Sequence, residues 1–414
     1  MADTTLRPYD PDRDREAAIR IWREVGWIES ETHEKALDSL LAECAVRRVG
    51  EVNGTAECLV NTTRGSLRYV DEELELSCVT GVTTSRTARR AGLAKRLLAQ
   101  ALAEDAAKGA VASELGAFDQ GFYDQLGFGT GTLEPFYSLD PQSLRPHGES
   151  RVPVRLTVDD GEDIHGCRLA RRRGHGAVNL SAPGSTQAEL LYAENGFGFG
   201  FRDGPDGGLT HHAWLSTKDV ESGPYSVWWM AFRTSEQFHE LLAVMRSWGD
   251  QVHLVRLAQP PGIQLQDLIE RPMRSRRQTE EGKHEVRVTA AAYWQIRILD
   301  LVRCLEDTHL EGVEVRFNLT LEDPIAAYLE SDASWRGLGG EYVVTLGPSS
   351  SAVAGSRIGL PYLRATVGAF SRMWLGVLPA SALAWTDRLS GPPELLDALD
   401  RILRLPPPHP DWEF

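Results

Sequence analysis

Arg86, Arg89, Arg90, Lys95 and Arg96 put five basic residues within eleven positions, with no acidic residue among them. The 414-residue chain as a whole runs the other way, with 44 Lys plus Arg against 59 Asp plus Glu. The basic run joins a Val- and Thr-rich segment, residues 78–84, to one with Leu93, Leu97, Leu98, Ala101 and Leu102 at helical spacing. That is a strand, a loop and a helix. Free N–H groups in the first helical turn, and the helix dipole, favour an anion there. Gly92 lets the backbone approach such a ligand closely. The chemistry this stretch can do is to hold a pyrophosphate. A Walker loop is excluded, because Gly-Lys-Ser/Thr is missing. A three-glycine dinucleotide fingerprint is excluded too, because only Gly92 is present. What remains is Arg-x-x-Gly-x-Ala at Arg89, Gly92 and Ala94, after Val82 and Thr84. The plain alternative is an ordinary strand–loop–helix with a solvated basic face.

The elements that must position this loop are legible around it. A strand is expected at residues 6–9 and a helix at 11–25, with Ala17, Ala18, Ile21 and Trp22 as its buried stripe. Strands at 46–52 and 55–63 are joined by Asn53 and Gly54, a hairpin turn signal. A long strand reaches Thr84, the helix runs from Gly92 to Lys108, a strand follows at 111–118, and a short helix at 120–126 ends in Gly127, Phe128 and Gly129. Residues 140–150 read as a linker. Beyond it, a strand at 225–232, a helix at 234–248 and a strand at 251–257 repeat the layout without the basic loop. Thr234 and Gln237 have capping-box spacing. Tyr192, Gly196, Phe197 and Gly198 repeat the spacing of Tyr123, Gly127, Phe128 and Gly129, but they precede their strand–helix–strand, so chance accounts for them. In a third region, Ile296, Leu299, Val302 and Leu305 predict a helix at 293–306. Strands are expected at 313–321 and 342–346, and a helix at 395–403. Arg171, Arg172 and Arg173, and residues 274–277, read as solvated loops. The tail from Leu405 has four prolines and an extended path, and it closes on Trp412 and Phe414. Two large apolar groups argue for a docked tail rather than a frayed end.

Hydrophobic content of 42% and charged content of 25% are those of a soluble globular protein. At about 150 residues per domain, two or three domains are expected. No apolar run reaches the roughly 18 residues of a membrane span, and the start has no apolar signal core, so a cytoplasmic location without membrane association is expected. Cys44, Cys58, Cys78, Cys167 and Cys304 are scattered and argue against disulfides or structural zinc. The pair His211 and His212 has no motif around it, so it is read as structural or solvated, and no metal is expected. The net charge of −15 disfavours nucleic acid and suits a cationic substrate.

The loop from Arg89 to Ala94 resembles the acetyl-CoA loop of the GCN5-related N-acetyltransferases (GNATs), and the β-α-β-β-β-α-β-α order is that of their fold. With its three regions and its tail, the whole chain resembles the Eis-type N-acetyltransferases. The likeness is most specific in the loop, in residues 122–129, in residues 293–300 and in Glu413-Phe414. It implies a mixed α/β (α+β) architecture: a GNAT domain at 1–145 with the acetyl-CoA site, a second GNAT-like domain without the loop at 151–287, and a domain similar to sterol carrier proteins at 288–414.

By this resemblance, Val82 and Thr84 offer backbone groups to the pantetheine arm of acetyl-CoA. The family more often has an apolar residue where Thr84 stands, a change backbone pairing survives. Arg89, Arg90, Gly92, Leu93 and Ala94 hold the pyrophosphate. Tyr123 is the general acid, the α-carboxylate of Phe414 the general base, and Glu413 faces a cationic acceptor. Trp27, Glu29 and Glu31, just after the first helix, are further candidates for the acceptor pocket; an aromatic and two acids suit a polyamine. The roles make chemical sense. An aliphatic amine with a pKa near ~10 must lose a proton before it attacks a thioester. A tyrosine with a pKa of about 10 suits protonation of the departing thiolate. The implied activity is acetyl transfer to a cationic amine, aminoglycosides or polyamines first and lysine side chains next. A biosynthetic acyltransferase with another acyl-CoA or acceptor, and a non-catalytic acyl-CoA-binding scaffold, are the alternatives. The family implies a homo-oligomer, often a hexamer.

Overall fold

One tight turn sets the register of the first sheet in the computed structural model, which describes residues 3–117, 120–203 and 207–414. β1 (Thr4–Pro8) pairs with β2 (Val46–Val52), and β2 turns into β3 (Thr55–Tyr69). The turn residues Asn53 and Gly54 have φ of 51° and 83°, the paired positive values a two-residue hairpin requires. β4 (Glu72–Thr84) continues antiparallel to β3, and β5 (Ala112–Gly116) runs parallel to β4. Their ladder ends at Val79 and Leu115, although β4 goes on for five more residues. This early parting leaves a cleft between them. The expected strand at 111–118 is thus found at 112–116, and its last position, Phe118, lies outside the described residues.

Helices cover both faces. α1 (Pro11–Glu24) and α2 (Glu31–Glu43) bury Ile21, Trp22, Leu37 and Leu41 against Val49 and Leu59. α3 (Leu93–Ala107) buries Leu97, Leu98 and Leu102 on the other side, against Cys58 and Val60. Strand side chains alternate, so Leu59 and its neighbours Cys58 and Val60 belong to opposite cores. Sequence reading missed α2. Its signal was present: Ser30 accepts from the His33 backbone N–H as an N-cap, and Leu37, Leu40 and Leu41 follow at helical spacing.

The chain continues through the 3₁₀ turn Tyr123–Leu126, β6 (Gly129–Thr130), β7 (Glu134–Leu139), β8 (Val154–Leu156), α4 (Gly161–Leu169), β9 (Val178–Leu180), α5 (Pro183–Tyr192), β10 (Phe197–Asp203), β11 (Gly208–Thr217), β12 (Tyr225–Ala231), α6 (Ser235–Ser247), β13 (Val255–Ala258), α7 (Pro272–Thr279), β14 (Arg287–Ala291) and β15 (Trp294–Ile298). The second sheet has the order β14-β7-β13-β12-β11-β10-β8. The third region adds α8 (Leu301–Glu306), β16 (Val315–Glu322), β17 (Gly340–Leu346), β18 (Ser351–Ala354), β19 (Tyr362–Thr366), α9 (Val367–Trp374), α10 (Ala380–Thr386), β20 (Leu389–Ser390) and α11 (Pro393–Ile402). Its sheet is β18-β17-β16-β19-β20.

Several expectations need correction. Residues 293–306 are not one helix: β15 comes first, and Asp300 then caps α8. β15 lies between β5 and β6 in the first sheet, antiparallel to both. All five of its residues are buried, so no polar face broke the apolar pattern, and the helical spacing was accidental. Four strands cross the expected domain limits, β14 among them, since it starts at Arg287 and belongs to the second sheet. β7 pairs with β13 and β14 in the second sheet, β9 pairs with β3 in the first, and β15 completes the first sheet from the third region. The expected linker is packed, with Leu144 only 1% exposed in the second core. Residues 274–277 lie on α7 rather than in a loop. Arg171 is buried, not solvated. His211 and His212 are buried, and burial pushes His212 down to about 3, so it stays neutral and accepts from the Trp229 indole N–H at 2.9 Å. Among the described residues, no helix is long and apolar enough to cross a membrane.

Candidate active site

A cavity of about 990 Å³ opens where β4 and β5 part. Gly81 and Val82 of β4, Gly116 and Ala117, Tyr123, Glu413 and Phe414 all line it. So the structure gathers residues more than 330 positions apart, as 414 less 81 shows, into one chamber. Thr84 and the residues from Arg89 to Ala94 do not line the chamber; they follow it along β4 to the start of α3. Thr84 pairs with Cys58 of β3, and its hydroxyl lies 3.3 Å from the Cys58 thiol. Gly92 sits at φ 75° as the N-cap of α3 and has no side-chain cap. The first-turn N–H groups are thereby left for another acceptor. Arg89 and Arg90 are exposed beside them. Leu93 buries its side chain in the α3 core, so only its backbone is available to an anion. This arrangement fits a pyrophosphate on the helix N-terminus.

Tyr123 is 2% exposed, and its ring meets Phe122 edge-on at 4.9 Å. The turn that carries it is gripped by β15. Gln295 donates to the Asp124 carboxylate at 2.7 Å, and Arg297 donates to the Leu126 carbonyl. Arg297 also pairs with Asp323 at 2.8 Å, with both side chains almost wholly buried. Gly127, at φ 80°, ends the turn.

The tail is docked. Val178 N–H donates to the Pro410 carbonyl at 2.8 Å, extending the edge of β9, and Thr132 donates to the Pro408 carbonyl at 2.9 Å. Trp412 is 3% exposed, and its indole N–H donates to Glu189 at 3.1 Å. A Cβ built on Gly116 would lie 2.8 Å from the terminal oxygen of Phe414, so the bare backbone of β5 is what admits the chain end.

On the acceptor side, Trp27 and Glu29 line the cavity, whereas Glu31 opens α2 and does not. Three carboxylates that sequence reading missed belong here. Glu114 and Glu189 are on the cavity wall, and Glu134 lies just behind it, accepting from the Tyr293 hydroxyl at 3.1 Å and lying 2.9 Å from His409. Neither oxygen of Glu114 has a hydrogen-bond partner among the described residues. Burial, with Glu134 nearby, raises its pKa well above the ordinary carboxylate value. The only sequence signal was a lone acid inside the apolar run at 111–117. Glu189 left none.

Glu413 is pushed up to about 7, first by burial among the cavity walls and then by Glu189 and Glu134. Below that pH it is neutral, and above it carries a negative charge that attracts an ammonium group. We expect kcat/KM for a cationic acceptor to rise with pH through about 7, and Glu413→Gln to flatten that rise. An unchanged pH profile in the variant would remove Glu413 from acceptor binding.

Residues 6–131 match the family model of the acetyltransferase (GNAT) domain. The first domain is a GNAT acetyltransferase domain. GNAT domains use acetyl-CoA, so the chain carries an N-acetyltransferase domain over these residues. An uncharacterized N-acetyltransferase from Streptomyces avermitilis is 27% identical over 361 residues, covering 78% of each chain. The fold of the whole chain is shared with a probable N-acyltransferase from Enterococcus faecalis, at TM-score 0.78 and 16% identity over all of both chains. Eis1 from Mycobacterium abscessus gives TM-score 0.74 at 16% identity, again over all of both chains.

Proposed function

We propose that this GNAT protein acetylates an amine of a cationic small molecule, of aminoglycoside or polyamine type, with lysine side chains as the next class. The observation that carries the reading is the single cavity holding Tyr123, Phe414, Glu413 and Glu189 beside Trp27 and Trp412. Carboxylates and aromatic faces together suit an ammonium group.

The parts divide the work as follows. Acetyl-CoA supplies a thioester, the activated acyl group. The backbone of Val82 and Thr84 holds the pantetheine arm in the cleft where the β4–β5 ladder ends. Arg89, Arg90, Gly92 and the backbone of Leu93 and Ala94 hold the pyrophosphate on the uncapped start of α3. Glu413, with Trp27 and Glu29, receives the acceptor. The carboxylate of Phe414, as the last residue, takes the proton of the attacking amine, and the Tyr123 hydroxyl protonates the leaving thiolate. The five-stranded third sheet with α9 and α11 belongs to the sterol-carrier-like domain of this reading. A cytoplasmic homo-oligomer, a hexamer by the family resemblance, completes it.

Thiol release from acetyl-CoA against a panel of aminoglycosides, polyamines and lysine peptides tests the proposal. Release with one cationic class is the expected result. Silence across the panel with acetyl-CoA binding intact, or faster turnover with a longer acyl-CoA, would overturn it.

A further inference from the structure

We propose that the second domain serves catalysis by clamping the tail, with Arg168 and Arg171 as positioning residues for the chain end in the cavity. The inference rests on the reading of that cavity as the acetyl-transfer site.

Arg168 is in the last turn of α4 and Arg171 lies just beyond that helix, and both guanidinium groups reach the Trp412 ring. They are 3% and 7% exposed. A buried guanidinium costs several kcal/mol unless its charge and its N–H groups are matched. Here Asp411 of the tail supplies the counter-charge and one carbonyl for Arg171, while Glu189 supplies the counter-charge for Arg168 and the tail meets it through the Trp412 ring. Arg171 pairs with the Asp411 carboxylate at 2.6 Å and donates to the Asp411 carbonyl at 2.9 Å. Its remaining N–H groups go to Asn179 at 2.7 Å, to the Val178 carbonyl at 2.9 Å and to the Arg168 carbonyl at 3.0 Å. Arg168 pairs with Glu189 at 2.5 Å, the same carboxylate that accepts from Trp412. Its guanidinium is sandwiched between two rings, 4.0 Å from Trp229 of β12 and 3.8 Å from Trp412.

The clamp acts on the residues that matter. Asp411 is held at φ 54°, a left-handed conformation that a non-glycine residue adopts only when its surroundings fix it. Trp412 follows, locked face-on to Arg168. Only Glu413 and Phe414 then remain, and both line the cavity. Their freedom is reduced to two residues counted from a rigid anchor. Reacting groups need this precision, since about 1 Å of misplacement costs roughly a hundredfold in rate. The second domain has no anion loop of its own, and the clamp gives it a part in the reaction.

The test compares the full-length enzyme with Arg171→Met, Arg171→Lys and Asp411→Asn, the last on the half-buried tail side and mild for folding. Readouts are kcat/KM for the acceptor, calorimetric affinity for acetyl-CoA, and hydrogen exchange of residues 408–414. Expected are faster exchange of that segment, a loss in kcat/KM of at least about tenfold, unchanged acetyl-CoA affinity, and partial recovery with Arg171→Lys. Wild-type kcat/KM in folded Asp411→Asn and Arg171→Met, or an equal loss of acetyl-CoA affinity, would overturn the clamp. If the wild type itself acetylates nothing, the acetyl-transfer reading fails, and unchanged exchange in both variants then overturns the clamp separately.

Discussion

Two glycines added after Phe414 lower turnover by about 10²–10⁴-fold, the range that a positioned proton acceptor contributes, and leave acetyl-CoA affinity unchanged. The expectation follows from crowding at the chain end. The terminal oxygen lies so close to Gly116 that even a methyl group there would sit 2.8 Å from it. Added residues must pass through the cavity, carrying the carboxylate away and leaving a neutral peptide carbonyl in its place. The pyrophosphate loop starts beyond Thr84 and does not line the cavity, and the pantetheine arm is held by the backbone of β4 rather than by the tail, so the cofactor's affinity stays. Steady-state kcat and calorimetry on the extended protein are sufficient. Full turnover would move the proton acceptor elsewhere in the cavity, with Glu413 first in line.

Replacing Arg297 by methionine destabilises the protein by about 3–5 kcal/mol, the usual consequence of leaving one member of a buried ion pair alone. The guanidinium is fully buried and Asp323 is 1% exposed. Asp323 keeps the backbone N–H groups of Ile325 and Leu338, at 3.2 and 2.8 Å, but loses its counter-charge. The Leu126 carbonyl loses its donor at the same time. Denaturant unfolding measures the loss, and the double variant with Asp323→Leu should recover part of it. Turnover should fall as well, because Leu126 closes the turn that carries Tyr123. A midpoint equal to that of the wild type would show that the pair does not hold β15 to the segment after β16 that carries Asp323.

What was legible in the sequence was local. The turn at Asn53 and Gly54, the basic loop before α3 and the cap at Thr234 are each written within a few residues. The docked tail was legible because Trp412 and Phe414 are too apolar to leave in water. What was hidden depends on distant partners. β15 is buried on both faces, so it shows no alternation and its period can be mistaken for a helix. Arg171 sits in a run of three arginines that reads as a solvated patch, and its partner Asp411 is 240 residues away. Glu114 and Glu189 are single acids with no spacing to mark them. Their meaning comes from the cavity wall, which exists only after folding.

The place of β15 has a consequence for how the protein is made. A strand from residues 294–298 fills the gap between β5 and β6, so the first sheet stays divided until nearly three-quarters of the chain has left the ribosome. Until then, two unpaired strand edges face each other across the missing strand, and such edges invite pairing with other chains. The catalytic domain therefore cannot close by itself, although its loop, its helix and Tyr123 are all encoded in the first third of the sequence. A fragment cut at the end of that third would carry the cofactor loop on an unfinished sheet.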